Sequence, residues 1–146
     1  MIANILIHLA KSPSHQRLTQ IIPSESQKVF ISVVSIGELK SIALQNNWGA
    51  KKWQVINTLL NEVVIVEINE NLADTYAEID AFSQCRNPSY NSCTFATPRN
   101  MGKNDLWIAS TAALLGLKLV TTDTDFGHLH QIFMEIQDIE PHLLVV

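Results

Sequence analysis

Four acidic side chains stand at positions where the chain is predicted to bring them together. Glu38 comes one helical turn after a stretch of β-branched residues that is typical of a buried strand. Asp105 lies in the first turn of a predicted helix, and Asp123 and Asp125 directly follow another predicted strand. Because sites in open parallel sheets form beyond the carboxyl ends of the strands, we expect these acids to converge at one edge of a sheet.

Such a cluster of carboxylates has a specific chemistry. Carboxylates packed together repel one another unless protons or a cation intervene. A set of oxygen ligands suits Mg²⁺ or Mn²⁺ rather than Zn²⁺. A bound Mg²⁺ can generate hydroxide, orient a phosphodiester and neutralise developing charge. The four acids therefore indicate the chemistry of a metal-dependent nuclease.

Each acid also has a purely structural explanation. Ser35 and Glu38 have the spacing of a capping box, in which the glutamate only returns to the amide of the serine. Asp105 could complement the dipole of its helix, and Asp123 and Asp125 could be turn formers. Only the convergence of the acids at one sheet edge favours the metal site over these explanations.

The elements that must position the acids alternate between short apolar runs and helical patterns. Strands are predicted at 29–34, 63–68, 118–121 and 133–136, with the end of a first strand running into a helix at 4–9 and a final edge strand at 143–146. Helices are predicted at 13–22, 35–45, 51–61, 69–84 and 104–115. This order predicts an α/β protein with an open, mostly parallel sheet flanked by helices on both faces. Residues 85–102 form a predicted loop long enough to favour a functional role.

Length and charge narrow the function classes. The 146 residues suit one ordinary domain, so residues 1–146 are predicted to form a single domain. A net charge of −4 argues against a basic surface that coats nucleic acid, but not against a small metal-bridged site. No apolar run approaches the roughly 20 residues of a membrane helix. With no basic leader or clear cleavage site at the start, we expect a cytoplasmic protein without membrane contact.

The cysteines and histidines carry weaker signals. Cys85 and Cys93 are the two cysteines, and without a partner pair they make a poor zinc site. We expect two reduced thiols, as is usual in the cytosol. His128 and His130 lack convincing ligand spacing and are assigned to solvent or packing.

Four segments resemble the motifs of one known family. Asn4–Leu9 and Ile31–Leu39 resemble the first two motifs of PIN domains, and Lys103–Ala109 and Leu119–Phe126 resemble the last two. The segments occur in the family's order across nearly the whole chain, and they are most similar to VapC-type toxins of bacterial toxin–antitoxin pairs. The resemblance implies a PIN-like fold and a ribonuclease that depends on Mg²⁺, with Mn²⁺ as a surrogate. It also implies a homodimer and a small antitoxin as partner.

The resemblance also assigns roles to individual residues. Glu38, Asp105 and Asp123 match the acids that hold the metal and carry catalysis, and Asp125 matches an accessory acid of the metal site. The remaining matching positions would line the site and contact substrate; they are Asn4, Asn104 and Thr121.

Two basic residues precede the third motif. Arg99 and Lys103 could reach an RNA phosphate near the acids. Because the net charge is negative, RNA needs such local positive charge to approach. The alternative is an ordinary solvated loop.

One position departs from the family pattern. The family has an aspartate two residues before the asparagine, and Ile2 stands there, two residues before Asn4. An isoleucine cannot bind a metal, and the first strand is expected to be truncated. Three acids can still hold Mg²⁺ through waters, with lower affinity. Either the chain is a degraded, inactive toxin, or its start is altered relative to a functional ancestor.

Three functions remain open from the sequence. The first is a metal-dependent endoribonuclease of the VapC type that an antitoxin holds inactive. The second is a catalytically impaired PIN-like module that keeps antitoxin binding and dimerisation. The third is a phosphoryl-transfer domain of another open α/β family, acting on small phosphate esters, since acids at strand ends are not unique to nucleases.

Overall fold

A parallel sheet of five strands forms the centre of the described structure. The computed structural model describes residues 1–11, 28–90, 95 and 97–144. The strands are β1 (Ile2–Ala3), β2 (Phe30–Ser32), β3 (Val64–Val66), β4 (Leu119–Thr121) and β5 (Ile136–Asp138). They lie in the order β3-β2-β1-β4-β5, and every pair is parallel. The predicted open parallel sheet is confirmed.

The shortest strand occupies the middle of this sheet. Ile2 of β1 is in register with Ile31 on one side and with Val120 on the other. The backbone N–H of Val120 donates to the carbonyl of Met1 at 2.8 Å. The ammonium group of Met1 donates to the carbonyl of Lys118 at 2.6 Å. Two residues therefore suffice to join β2 to β4.

Helices connect the strands. The described residues form α1 (Ile5–Lys11), α2 (Val33–Gln45), α3 (Ala50–Asn61), α4 (Ala73–Ser83) and α5 (Lys103–Leu114). Short 3₁₀ turns span Glu70–Leu72, Thr124–Leu129 and Pro141–Leu143. Within the described ranges, no helix combines the length and apolar character needed to cross a membrane.

Two apolar clusters show that both faces of the sheet are covered. Successive residues of a strand point to opposite faces. Ile2 belongs to one cluster, together with buried residues of α1, α2 and α3, and Ala3 belongs to a second cluster built largely by α4 and α5. The helices therefore pack on both faces, as the sequence predicted.

Several element boundaries differ from the predictions. The run 29–34 divides, because the hydroxyl of Ser32 accepts a hydrogen bond from the Val34 amide at 3.2 Å and α2 begins at Val33. β-Branched residues suit both a buried strand and a buried helical turn, so the helix-capping serine decides the boundary. The last strand is Ile136–Asp138 rather than 133–136, and Leu143 lies in a 3₁₀ turn rather than in an edge strand.

The remaining predictions concern the ends of α5, the cysteines and two segments outside the described residues. The helix predicted at 13–22 and the end of the predicted edge strand, 145–146, lie outside the described residues. Gly116, with φ of 62°, follows α5 as predicted, but Gly102 rather than Asn104 is its N-terminal cap. Cys85 is disulfide-bonded, so the expectation of two reduced thiols is wrong. Composition and compartment suggest a redox state, but they do not determine whether loop geometry brings two sulfur atoms together.

Candidate metal centre

Three carboxylates meet beyond the carboxyl end of β4. Asp105, Asp123 and Asp125 each offer an oxygen atom, and these atoms lie within 4.8 Å of one another. Asp105 comes from the first turn of α5, and the other two come from the turn that follows β4. The predicted convergence of acids from distant segments is therefore present in the fold.

Local hydrogen bonds fix the two aspartates after β4. Thr121 is fully buried, and its Oγ1 accepts a hydrogen bond from the Asp123 amide at 3.0 Å. Oδ1 of Asp123 in turn accepts from the Asp125 amide at 2.9 Å and caps the 3₁₀ turn. Asp123 is therefore a turn former, as one explanation held. A carboxylate has about four lone-pair sites, so this capping bond leaves it able to bind a cation.

The acids act on one another electrostatically. Asp105 is half-buried, and its pKa is raised from 3.8 to about 6. Burial is the largest cause, followed by the negative charges of Asp123, Glu38 and Asp125. A bound divalent cation would relieve this repulsion and favour the ionised carboxylate.

Glu38 reaches the same centre from α2. Its Oε1 accepts a hydrogen bond from Nδ2 of Asn104 at 2.8 Å, and its charge helps to raise the pKa of Asp105. It is not among the three acids whose oxygens lie within 4.8 Å of one another. The capping-box explanation is wrong, because α2 begins at Val33 with Ser32 as its cap. Glu38 and Asn104 together tie α2 to the start of α5.

The first motif forms the turn from β1 into α1. Asn4 directly follows β1 and has φ of 62°, a left-handed conformation that asparagine adopts more readily than most residues. It turns the chain from β1 into α1. Ile2 is 2% exposed and packs in the apolar cluster with Ile31 and Leu39, so it offers no ligand atom.

The two basic residues occupy different places. Lys103 is exposed at the first residue of α5, two positions before Asp105. Arg99 is exposed in the preceding loop, and its guanidinium carbon lies 5.8 Å from the centre of the Phe95 ring. Arg99 and Asp125 line the same cavity. Arg99 therefore shares a cavity with one acid of the cluster, and its contact with a phosphate stays a prediction.

His128, which the sequence assigned to solvent or packing, packs against α4. Its Nε2 lies 2.7 Å from Oγ of Ser83, which is fully buried at the end of α4. Burial and the nearby Arg99 charge lower the pKa of His128, and a hydrogen bond with the Asp125 backbone opposes them. His128 thus fastens the turn that carries the aspartates to α4. Serine and histidine are 45 residues apart, and no spacing rule links them.

The donor set fits a hard divalent cation. Its potential ligand atoms are carboxylate oxygens, and Mg²⁺ binds such oxygens while it keeps several waters. The same preference holds for Mn²⁺. The half-buried position and raised pKa of Asp105 show that its charged form is disfavoured beside the other acids and would be stabilised by a cation. Chemically, the arrangement can hold such a cation at a sheet edge open to a phosphodiester.

Comparison with known proteins identifies the family. The family model described as PIN domain matches residues 3–131. The chain belongs to the PIN-domain family, and the resemblance of its four motifs is confirmed. No curated protein sequence gives a significant match.

Solved structures share the fold over nearly the whole chain. VapBC2 from Rickettsia felis, bound to a DNA fragment from its promoter, aligns with a TM-score of 0.73 at 17% identity, covering 96% of this chain and 100% of that one. VapBC-1 from nontypeable Haemophilus influenzae gives a TM-score of 0.69 at 22% identity, covering 94% and 98%. DNA-bound VapBC from Salmonella typhimurium gives 0.67 at 17% identity, covering 94% and 96%. At these identities the likeness establishes the fold.

Proposed function

We propose that this chain is a metal-dependent endoribonuclease and the toxin of a VapBC-type toxin–antitoxin pair. The observation that carries the proposal is the group of three carboxylates within 4.8 Å of one another, set in a PIN-domain fold. Nucleases that cleave phosphodiesters with Mg²⁺ need such an oxygen-rich site at an exposed edge.

Each acid has a role in this proposal. Asp105, Asp123 and Asp125 would hold Mg²⁺, and Glu38 would complete the negative field around it. The metal, when bound, supplies an activated water and neutralises charge on the phosphate. Thr121 holds Asp123 in place through the amide hydrogen bond, and Asn104 holds Glu38.

The basic residues would bring the substrate to the acids. Arg99 and Lys103 lie on the segment that leads into Asp105, and Arg99 shares a cavity with Asp125. Their positive charges offset the repulsion between RNA phosphates and the carboxylates. In this proposal they orient the phosphodiester, while Asn4 shapes the neighbouring turn.

The similar structures support a partner. They are VapBC structures, and two of them are bound to DNA. We extend this to the present chain: a small antitoxin protein binds it, and two copies form a homodimer. A cytoplasmic location, where RNA is accessible, belongs to the same proposal.

A calorimetric titration with Mn²⁺ and an RNA cleavage assay test the proposal together. Asp105→Asn removes one central carboxylate, and Asp74→Asn makes the same change in the first turn of another helix, α4. We expect the unsubstituted chain and Asp74→Asn to bind Mn²⁺ and cleave single-stranded RNA only with a divalent metal. Asp105→Asn should lose at least about tenfold in Mn²⁺ affinity and lose cleavage.

Two results would contradict this function. Unchanged metal-dependent cleavage in Asp105→Asn would exclude the acid cluster as its source. Hydrolysis of p-nitrophenyl phosphate without any RNA cleavage would instead identify a phosphatase for small esters.

A second candidate is a PIN-like module that binds the antitoxin without turnover. The buried Ile2, at the place of an expected acid, favours it. It predicts an unsubstituted chain with neither measurable Mn²⁺ binding nor RNA cleavage that still dimerises.

A further inference from the structure

A groove lies beside the acid cluster, and no family motif accounts for it. Its volume is about 650 Å³, within the usual range for small-molecule sites. One wall comes from the loop that ends before α5, including Phe95 and Arg99. The other comes from the 3₁₀ turn after β4, including Asp125 and His128. Because Asp125 belongs to both groove and acid cluster, the groove adjoins the acids.

Both walls are fastened to the same buried residue. The carbonyl of Ser83 accepts a hydrogen bond from the Arg99 amide at 2.7 Å. The hydroxyl of Ser83 lies 2.7 Å from Nε2 of His128 and 3.5 Å from Sδ of Met101. The Gln84 side chain also donates to Oδ1 of Asn100, another lining residue, at 3.0 Å. The groove is therefore held in shape before any ligand arrives, which lowers the entropic cost of binding.

The groove is lined by a positively charged side chain and by two planar rings. Arg99 lies over the ring of Phe95, with 5.8 Å between the guanidinium carbon and the ring centre. The Phe95 and His128 rings meet edge to face at 5.3 Å between centres. Among the residues that the structure describes, Arg99 forms no ion pair with an acid. A planar group and an anion can thus both be accommodated, since bases stack on aromatic and guanidinium planes and arginine binds phosphate.

We propose that this groove binds the nucleotide next to the scissile phosphate of a single-stranded RNA. In this arrangement Arg99 contacts the phosphate of that nucleotide, and its base packs against Phe95 and His128. The inference rests on the proposed ribonuclease function and specifies its substrate. The RNA must be single-stranded, because a base can enter such a groove only when it is unstacked and unpaired. A peptide of a partner protein is the alternative occupant, and the test below distinguishes it from RNA.

The test measures binding without metal and without cleavage. Asp105→Asn serves as the background, so that the RNA stays intact. Fluorescence anisotropy then follows a labelled single-stranded RNA of about eight nucleotides, within the usual site sizes. Arg99→Gln and Phe95→Leu are added singly. Arg86→Gln, on the same loop but outside the groove lining and exposed, is the matched control for lost charge.

We expect Arg99→Gln and Phe95→Leu each to weaken RNA binding about tenfold, the usual loss for a phosphate contact or a stacked base. Arg86→Gln should change it less than about threefold. A set of RNAs, each with one abasic nucleotide at a different position, is compared on the Asp105→Asn protein. One of these RNAs should bind more weakly than the others. At that position Phe95→Leu should cause no additional loss.

Three results would overturn the groove as a nucleotide site. Arg99→Gln and Arg86→Gln could weaken RNA binding equally, which would show a general charge effect. RNA binding could be the same at every position of the abasic nucleotide, both in the Asp105→Asn background and with Phe95→Leu added. The groove variants could bind RNA normally but lose a small protein that copurifies with the unsubstituted chain, which would make the groove a protein-docking surface.

This failure is distinguishable from failure of the ribonuclease proposal. If Arg99→Gln and Phe95→Leu cleave RNA at the unsubstituted rate, the groove is not a nucleotide site, and the ribonuclease proposal stands. If the unsubstituted chain neither binds Mn²⁺ nor cleaves RNA, the function is wrong whatever the groove binds.

Discussion

Glu38 and Asn104, 66 residues apart in sequence, are joined by a hydrogen bond of 2.8 Å between Oε1 and Nδ2. The bond connects the middle of α2 to the first turn of α5. It holds the Glu38 carboxylate beside the group of three aspartates without making it part of that group. The metal centre thus depends on the packing of two helices as well as on the turn after β4.

Asn104→Ala tests this connection. Because the bond is exposed, we expect the free energy of unfolding to change by less than about 1 kcal/mol. Mn²⁺ affinity should fall severalfold, since residues that orient metal ligands typically matter that much. Calorimetry on this variant and on Asn57→Ala, an exposed asparagine of α3, makes the comparison. Equal affinities in the two variants would show that Glu38 needs no such support.

The raised pKa of Asp105 predicts how stability depends on pH. Without metal, the folded state holds the Asp105 proton up to about pH 6, whereas the unfolded chain releases it near 3.8. The contribution of Asp105 to stability is therefore fully present below the unfolded pKa and is lost as pH rises through about 6. Urea unfolding at a series of pH values should show this decline, and Asp105→Asn should remove it. An unchanged pH profile in Asp105→Asn would rule out this carboxyl as the cause.

Mn²⁺ affinity should depend on pH in the opposite direction to the contribution of Asp105 to stability. A cation needs the ionised carboxylate, so Mn²⁺ affinity should fall as pH drops below about 6, the folded pKa of Asp105. Calorimetry at several pH values measures it, with Ca²⁺ as a second oxygen-seeking cation. An affinity that stays constant between pH 5 and 7, roughly the range set by this shift, would argue against Asp105 as a ligand.

Thr121→Val tests how the turn after β4 is held. Valine keeps the shape but removes the hydroxyl that accepts the Asp123 amide. We expect a loss of about 1–2 kcal/mol in the free energy of unfolding, because a backbone donor is left without its partner. Mn²⁺ affinity should fall as well. In the control, Thr111→Val, the lost hydroxyl only donates to the Trp107 carbonyl within α5, so Mn²⁺ affinity should stay unchanged. Equal loss of affinity in both variants would contradict the positioning role.

Ile2→Asp tests the position where the family carries an acid. Ile2 is 2% exposed in the apolar cluster, so a carboxylate there should cost at least about 2 kcal/mol without metal. If the new carboxylate reaches the aspartates, excess Mn²⁺ should restore part of this loss and increase RNA cleavage. Thermal unfolding with and without Mn²⁺ measures the difference, and Ile31→Asp on β2 is the control for burial alone. Equal Mn²⁺ effects in the two variants would mean that an acid at position 2 lies outside the site.

The sequence predicted those features that depend on local pattern and strand order. Apolar runs alternating with helical patterns predicted the parallel sheet. The positions of the acids relative to the strand ends predicted that Asp105, Asp123 and Asp125 lie close together. It did not predict where α2 begins, because a run of β-branched residues does not distinguish a strand from a helical turn until Ser32 caps it. The Ser83–His128 contact was invisible, since it depends on how α4 packs against a turn 45 residues later. Pairings of that kind are set by tertiary packing, which local propensity does not encode.

The short central strand has a consequence for the order of synthesis. Ile2 is made before all five helices, yet its pairing with Val120 waits until β4 has been translated. Asp123 and Asp125 follow directly after that strand. A nascent chain therefore holds Glu38 long before it holds Asp123 and Asp125, and it holds Asp105 shortly before them. The acids come together only after β4 has been made, so a nascent chain that ends before this strand lacks the complete cluster.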